Sequence, residues 1–203
     1  SHVDDVEKEM QLYTPEITIK NKNIFSTVGE IGCYLSHHNL LKHIKQHSQG
    51  KYTLILEDDG MLKDSVTDLQ EKLEKVQFDI FYLGLNIENK GVQIYDNIYS
   101  IDKSINVYGT HAYVINNANI NKIYESTLTP FGPIDHQYEI CIKNSTLNAV
   151  IIYPYLCLQD RKSFYSTIKN QGNAVVSCRR RRKNNTNVSI TTLSSNNIRQ
   201  EKE

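Results

Sequence analysis

Tyr52-Thr53-Leu54-Ile55-Leu56 runs directly into Glu57-Asp58-Asp59-Gly60, and no other stretch restricts the fold as much. The first five residues are short, apolar and partly β-branched, with Gly50 before them and Gly60 after, which is the pattern of a buried strand. Burying three consecutive acids would be costly, so the strand is expected to emerge into a cleft at Glu57. In an extended chain side chains alternate, which puts Glu57 and Asp59 on one side and Asp58 on the other. Adjacent carboxylates repel unless a cation lies among them, and their hard oxygens suit Mg2+ or Mn2+ with a phosphate completing the coordination. On these residues alone a second reading stays open: a strand ended by a solvated acidic turn.

Composition excludes several classes. The 203 residues, 39% of them hydrophobic, are enough for one domain with a tail. Lys plus Arg equals Asp plus Glu at 23 each, so overall charge selects no polyanionic partner. The four cysteines, Cys33, Cys141, Cys157 and Cys178, are scattered and form no CxxC pair, which argues against a zinc site and gives no disulfide framework. No segment reaches the roughly 20 apolar residues of a membrane span. No signal peptide is visible, so a cytoplasmic or membrane-peripheral location is expected. The chain does not begin with Met, and a truncated lead-in over residues 1–26 is part of this reading.

Along the chain, residues 1–11 read as a short charged helix and Ile17-Thr18-Ile19 as a short edge strand. Thr27-Val28-Gly29-Glu30 is a capping box. It opens a helix with Ile31, Tyr34, Leu35, Leu41 and Ile44 at helical spacing, ending near Gly50. Leu62 to Val76 reads as a second amphipathic helix, and Phe78 to Gly84 as a second buried strand followed by Asn86 in a loop. A hairpin is expected around Asp96-Asn97, then a strand from Asn106 to Ile115 broken at Gly109-Thr110-His111. Helices are expected at 118–126 and from Asp135 to Lys143, and a strand from Ala149 to Tyr153. Helix–strand alternation of this kind points to an α/β fold with a mainly parallel central sheet flanked by helices. From about Ser177 the chain turns basic and polar, with Arg179 to Arg182 in a row. Residues 177–203 therefore read as a disordered, solvated tail, with nucleic-acid binding through the arginines as the lesser alternative.

Several of these runs together carry a resemblance. Gly29-Glu30-Ile31-Gly32-Cys33-Tyr34-Leu35-Ser36-His37, followed by Leu54-Ile55-Leu56-Glu57-Asp58-Asp59, resembles glycosyltransferase family 25, the lipopolysaccharide-type and procollagen galactosyltransferases. His111 to Ile115, Pro133-Ile134-Asp135, and Pro154-Tyr155-Leu156 with Gln159 and Ser163 resemble later signatures of that family. The likeness runs from about Thr27 to Ile168, within a domain placed at residues 27–176.

The resemblance implies a GT-A-like nucleotide-binding domain. It implies an inverting, metal-dependent transfer of a hexose, galactose or glucose, from a UDP-sugar to a glycan or hydroxylysine-type acceptor. In that frame Glu57, Asp59 and His111 form the expected Mn2+ or Mg2+ set, with Asp59 as direct ligand. Glu57 and Asp58 reach metal-bound water or the nucleotide ribose, and Ser36 and His37 face the nucleotide pocket. His136 is an alternative to His111. Asp135 is the expected catalytic base or acceptor grip, and its other reading is a helix N-cap. One departure stands out. The family's opening strand, a Val-Ile-Asn-Leu-like run followed by an arginine pair, has no counterpart in Ser1 to Phe25. The alternative function is therefore a degenerate, non-catalytic domain with a binding or assembly role.

Overall fold

Strand side chains alternate between two faces, and here both faces are covered. In a computed structural model of the chain, residues 2–21, 23–63, 68–87, 89–160 and 189–193 are described. Their elements are α1 (His2–Tyr13), α2 (Val28–His47), β1 (Tyr52–Leu56), β2 (Gly60–Leu62), α3 (Leu69–Glu74) and β3 (Ile80–Asn86). There follow β4 (Val92–Tyr95), β5 (Ile98–Ile101), β6 (Tyr108–Asn116), α4 (Ile120–Glu125), α5 (Ile134–Lys143), β7 (Ala149–Ile152), β8 (Cys157–Gln159) and β9 (Ser189–Leu193). Among the described residues one seven-stranded sheet runs in the order β4-β5-β7-β3-β6-β1-β9, and β2 pairs with β8 in a small second sheet.

The sheet is mixed and mostly antiparallel, which corrects the expectation of a mainly parallel one. Among the described strands β3 and β7 pair in parallel, and the other pairings are antiparallel. The reason lies in the placement of β6. Both β1 and β3 pair antiparallel to it, so they point the same way, as the helix between them predicts, but β6 lies between them. Direction was legible from the helix–strand alternation. Adjacency was not.

Ile55, Ile80, Tyr82, Tyr113, Ile115, Ala149 and Ile151 face the core beneath α1, α2, α4 and α5. Their sequence neighbours Leu54, Phe81, Leu83, Ala112, Val114, Val150 and Ile152 face a second core, closed by Leu69 and Leu73 of α3. Near-continuous apolar runs follow from burial on both faces, whichever way the strands point.

Helix α2 begins as expected. Thr27 Oγ1 accepts from Glu30 N at 3.2 Å, and the Glu30 carboxylate accepts from Thr27 N at 3.3 Å. The helix ends at His47 with Ser48 as an extended C-cap, two residues short of Gly50. Its inner face carries Tyr34, His37, His38 and Leu41, and Tyr34 Oη donates to the carbonyl of Thr127 at 2.8 Å.

Other boundaries moved. Residues 17–19 are not a strand, although Ile17 is buried and Thr18 N donates to Leu128 O. The helix expected from Leu62 is confined to Leu69–Glu74, because Gly60–Leu62 pairs with Cys157–Gln159, a partner far along the chain that local pattern does not reveal. Strand β6 continues through Gly109-Thr110-His111. Gly109 takes a positive φ (89°), open to glycine but not to most residues, in a stretch where the register against β3 shifts. Within the stretch expected to be a disordered tail, Ser189–Leu193 pairs with β1; Ser163, Ser166 and Arg179 to Arg182 lie outside the described residues. Among the described residues no helix is long and apolar enough to cross a membrane.

Leu41 is fully buried between α2 and the sheet. Leu41→Ala is expected to cost about 2–5 kcal/mol, read as a lower denaturant midpoint with an unchanged slope.

Candidate functional site

The C-terminal ends of β1 and β3 and the start of β6 meet at one edge of the sheet. Leu56 and Gly84 both pair with Ala112, and Glu57 N donates to His111 O at 3.0 Å. In open α/β sheets ligands bind beyond the carboxyl ends of strands.

The acids leave β1 through a tight turn, with Gly60 N donating to Glu57 O at 3.0 Å. The expected extended alternation of Glu57, Asp58 and Asp59 is therefore replaced by a turn that gives each carboxylate its own surroundings. Glu57 Oε1 accepts from Thr110 Oγ1 at 2.6 Å and lies 3.2 Å from His37 Nε2. Burial pushes the Glu57 carboxyl up, but the His37 and Thr110 hydrogen bonds and the nearby imidazoles outweigh it, and the net shift is downward. Asp58 is exposed. Asp59 Oδ2 accepts from Gln159 Nε2 at 2.8 Å, while Asp59 Oδ1 is buried and, among the described residues, has no hydrogen-bond partner. Burial, and the charges of Glu57 and Asp58, push the Asp59 carboxyl up despite the Gln159 bond.

Two glycines make room for this arrangement. A Cβ on Gly84 would lie 2.4 Å from His111 Nε2 and 2.5 Å from Cys157 O. One on Gly60 would lie 2.8 Å from His111 O and 3.2 Å from Glu57 O. Gly60 is thus required where the turn crosses β6. His111 is buried against Gly84, and its imidazole is among the groups that favour the ionised form of Glu57.

Behind the acids runs a polar chain. His37 Nδ1 lies 2.8 Å from Tyr113 Oη, which lies 3.4 Å from Tyr138 Oη. His37 is buried and its ring stacks on Tyr113. Ser36 Oγ donates to Gly32 O, one turn back on α2. His38 points elsewhere: Nδ1 meets Thr127 Oγ1 and Nε2 faces Glu16, a structural role.

Asp135 sits in the first turn of α5, but Pro133 is the N-cap, so the capping reading is corrected. Its Oδ2 instead accepts from Gly109 N at 2.9 Å, and Oδ1 from His136 N at 2.9 Å. The His136 ring faces Glu139. Burial pushes the Cys33 thiol upward, and the charges of Glu57, Asp135 and Asp59 add to that push. Cys33 Sγ, a His37 ring nitrogen and a Glu57 carboxylate oxygen lie within 4.8 Å of one another. Asn86 is exposed at the end of β3 beside Gly109.

The structure thus brings together Glu57, Asp59, His37, His111 and Asp135, and leaves His136 at the margin. Thr110, Tyr113 and Cys33 were not singled out by sequence reasoning. Cys33 and His37 are four residues apart on a helix, a spacing that puts them on one face and could have signalled the pair. Thr110 and Tyr113 carried no such signal. The carboxylates fit a hard divalent cation, since Asp59 Oδ1 is a buried acceptor with no donor among the described residues.

The two shifted acids predict opposite pH behaviour in metal-free buffer. The depressed Glu57 contributes stability that is present above the ordinary Glu range and lost as pH falls through its folded value. Asp59 is raised, so its stabilising contribution belongs to low pH and is lost as pH rises through the window above the ordinary Asp range. Glu57→Gln is expected to lower Tm at neutral pH and Asp59→Asn to raise it. Thermal melts across pH 3–8 check both signs, and shifts of the same sign would contradict this assignment.

Comparison with known proteins agrees with this arrangement. A family model described as Glycosyltransferase family 25 (LPS biosynthesis protein) matches residues 3–137, well over half of the chain. Procollagen galactosyltransferase 2 from Homo sapiens is 31% identical over 123 residues, covering 54% of this chain. The match spans 19% of that relative's length. With the matched segment containing α2, the acidic turn, β6 and Asp135, the chain belongs to glycosyltransferase family 25.

Proposed function

We propose that this chain forms the nucleotide-sugar site of a GT-A-like glycosyltransferase. In this reading it transfers a hexose, galactose or glucose, from a UDP-sugar to a glycan or hydroxylysine-type acceptor, with inversion. The observation that carries the reading is the buried Asp59 Oδ1, which has no hydrogen-bond partner among the described residues, at the carboxyl edge of the sheet in a family 25 chain. The galactosyltransferase relative supports galactose as the sugar.

Asp59 would hold the divalent cation, Mn2+ or Mg2+, together with Glu57 and with His111 as a further ligand. Bound there, the cation supplies charge neutralisation for the departing diphosphate without proton transfer. Asp58, exposed on the turn, is available to the ribose or to cation-bound water. Thr110 and His37 hold Glu57 ionised and aimed, so His37 serves the nucleotide pocket through Glu57, with Ser36 beside it.

Inversion requires a base on the acceptor hydroxyl, opposite the leaving group. Asp135 takes that role or grips the acceptor. Its bonds to Gly109 N, one residue from the Thr110 that holds Glu57, and to His136 N fix the carboxylate in place. Fixing a carboxylate before substrate arrives lowers the cost of orienting it in the transition state.

Mn2+ and a UDP-sugar together are expected to raise Tm by several degrees, and Asp59→Ala to abolish the increase. Differential scanning fluorimetry against a panel of nucleotide sugars tests this. No shift with any of them would favour the non-catalytic alternative, and sugar-nucleotide hydrolysis that depends on Glu57 and Asp59 would argue for the enzyme.

A further inference from the structure

We infer that Cys33, His37 and Glu57 form a second cation site, of borderline-soft character, suited to Zn2+. The three ligand atoms come from two rigid elements. Cys33 and His37 project from one face of α2, one turn apart, and Glu57 closes the site from the end of β1. All three ligand atoms lie within 4.8 Å of one another, and His37 Nε2 and Glu57 Oε1 are 3.2 Å apart. In a tetrahedral zinc site bond lengths of about 2.0–2.3 Å put ligand atoms roughly 3.3–3.6 Å apart. The histidine–glutamate edge, at 3.2 Å, is already close to that length, and the thiol has at most about 1 Å to close. Three protein ligands leave a fourth position for water or a substrate oxygen.

The surroundings also favour a cation. Imidazole ligands of metals are normally oriented by a hydrogen bond at the other ring nitrogen. Here His37 Nδ1 faces Tyr113 Oη at 2.8 Å, inside the core. Without a cation, the ionised Glu57 accepts only, so His37 Nε2 carries the hydrogen. With a cation on Nε2, that hydrogen moves to Nδ1, and Tyr113 Oη can accept it because a phenol both donates and accepts. The Cys33 thiol loses its proton to solvent, so one proton is released per ion bound. The charges of Asp59 and Asp135 also act on the thiol.

This site shares Glu57 with the one proposed for the diphosphate cation, and differs in holding the Cys33 thiol in place of the Asp59 carboxylate. Thiolate and imidazole select Zn2+ or Co2+ over Mn2+ and Mg2+, which take oxygen ligands. The inference does not depend on the transfer reading, and its test uses neither donor nor acceptor.

Co2+ added anaerobically to the reduced full chain is expected to give a thiolate-to-cobalt charge-transfer band and intense visible bands of a tetrahedral ion, saturating at one equivalent. Cys33→Ser should abolish the charge-transfer band. Cys141→Ser, Cys157→Ser and Cys178→Ser should each keep it. A measurement on the unmodified chain accompanies these, in case a variant fails to fold: Zn2+ should slow alkylation of Cys33 at least tenfold, read by peptide mass spectrometry. Weak octahedral cobalt bands without charge transfer, a band that survives Cys33→Ser, or alkylation of Cys33 indifferent to Zn2+ would each overturn the inference.

Discussion

Strand β6 is the piece on which the rest depends. It pairs with β1 on one side and β3 on the other, and both pairings bury apolar side chains on two faces. Nearly every polar group at the site is held by it. The His111 carbonyl takes the Glu57 amide, Thr110 donates to the Glu57 carboxylate, Tyr113 meets His37, and Gly109 donates to Asp135. A register shift in a strand buried on both faces would have to repack two close-packed cores at once. The stiffness of the core is thereby passed to the carboxylates at its edge.

That stiffness divides the work between two acids only two residues apart. Glu57 is surrounded by donors and its ionised form is favoured. Asp59 has one donor, a buried second oxygen and like charges beside it, and its ionised form is disfavoured. The turn creates the difference, because it points neighbouring carboxylates into different surroundings. An acid held at such a cost in a site of this shape is what a cation-binding position requires before the cation arrives. Gly60 and Gly84 complete the arrangement by letting the turn and the His111 ring approach backbone that a methyl group would exclude.

Much of this was legible in the chain. The capping box of α2, the buried strand before the acids, the hairpin at Asp96-Asn97 and the paired directions of β1 and β3 all follow from local pattern. These signals lie within a few residues of one another. Sheet order does not. The insertion of β6 between β1 and β3, and the pairing of Gly60–Leu62 with Cys157–Gln159, join segments whose affinity appears only once both are folded. The capping position read for Asp135 falls to Pro133, while Gly109, distant in sequence, holds one of its carboxylate oxygens.

The sequence by itself determined the family, through motifs between Gly29 and Asp135, and the presence of an acidic turn at the end of a buried strand. It also marked Ser36, His37, Glu57, Asp58, Asp59, His111 and Asp135 as the residues to watch. Only the tertiary structure decided which of them meet and in what state. Partners such as Thr110, Tyr113, Gln159 and Cys33 reach the acids through packing, and a carboxylate's protonation energy depends on those donors and on burial, neither of which is encoded in its immediate neighbours.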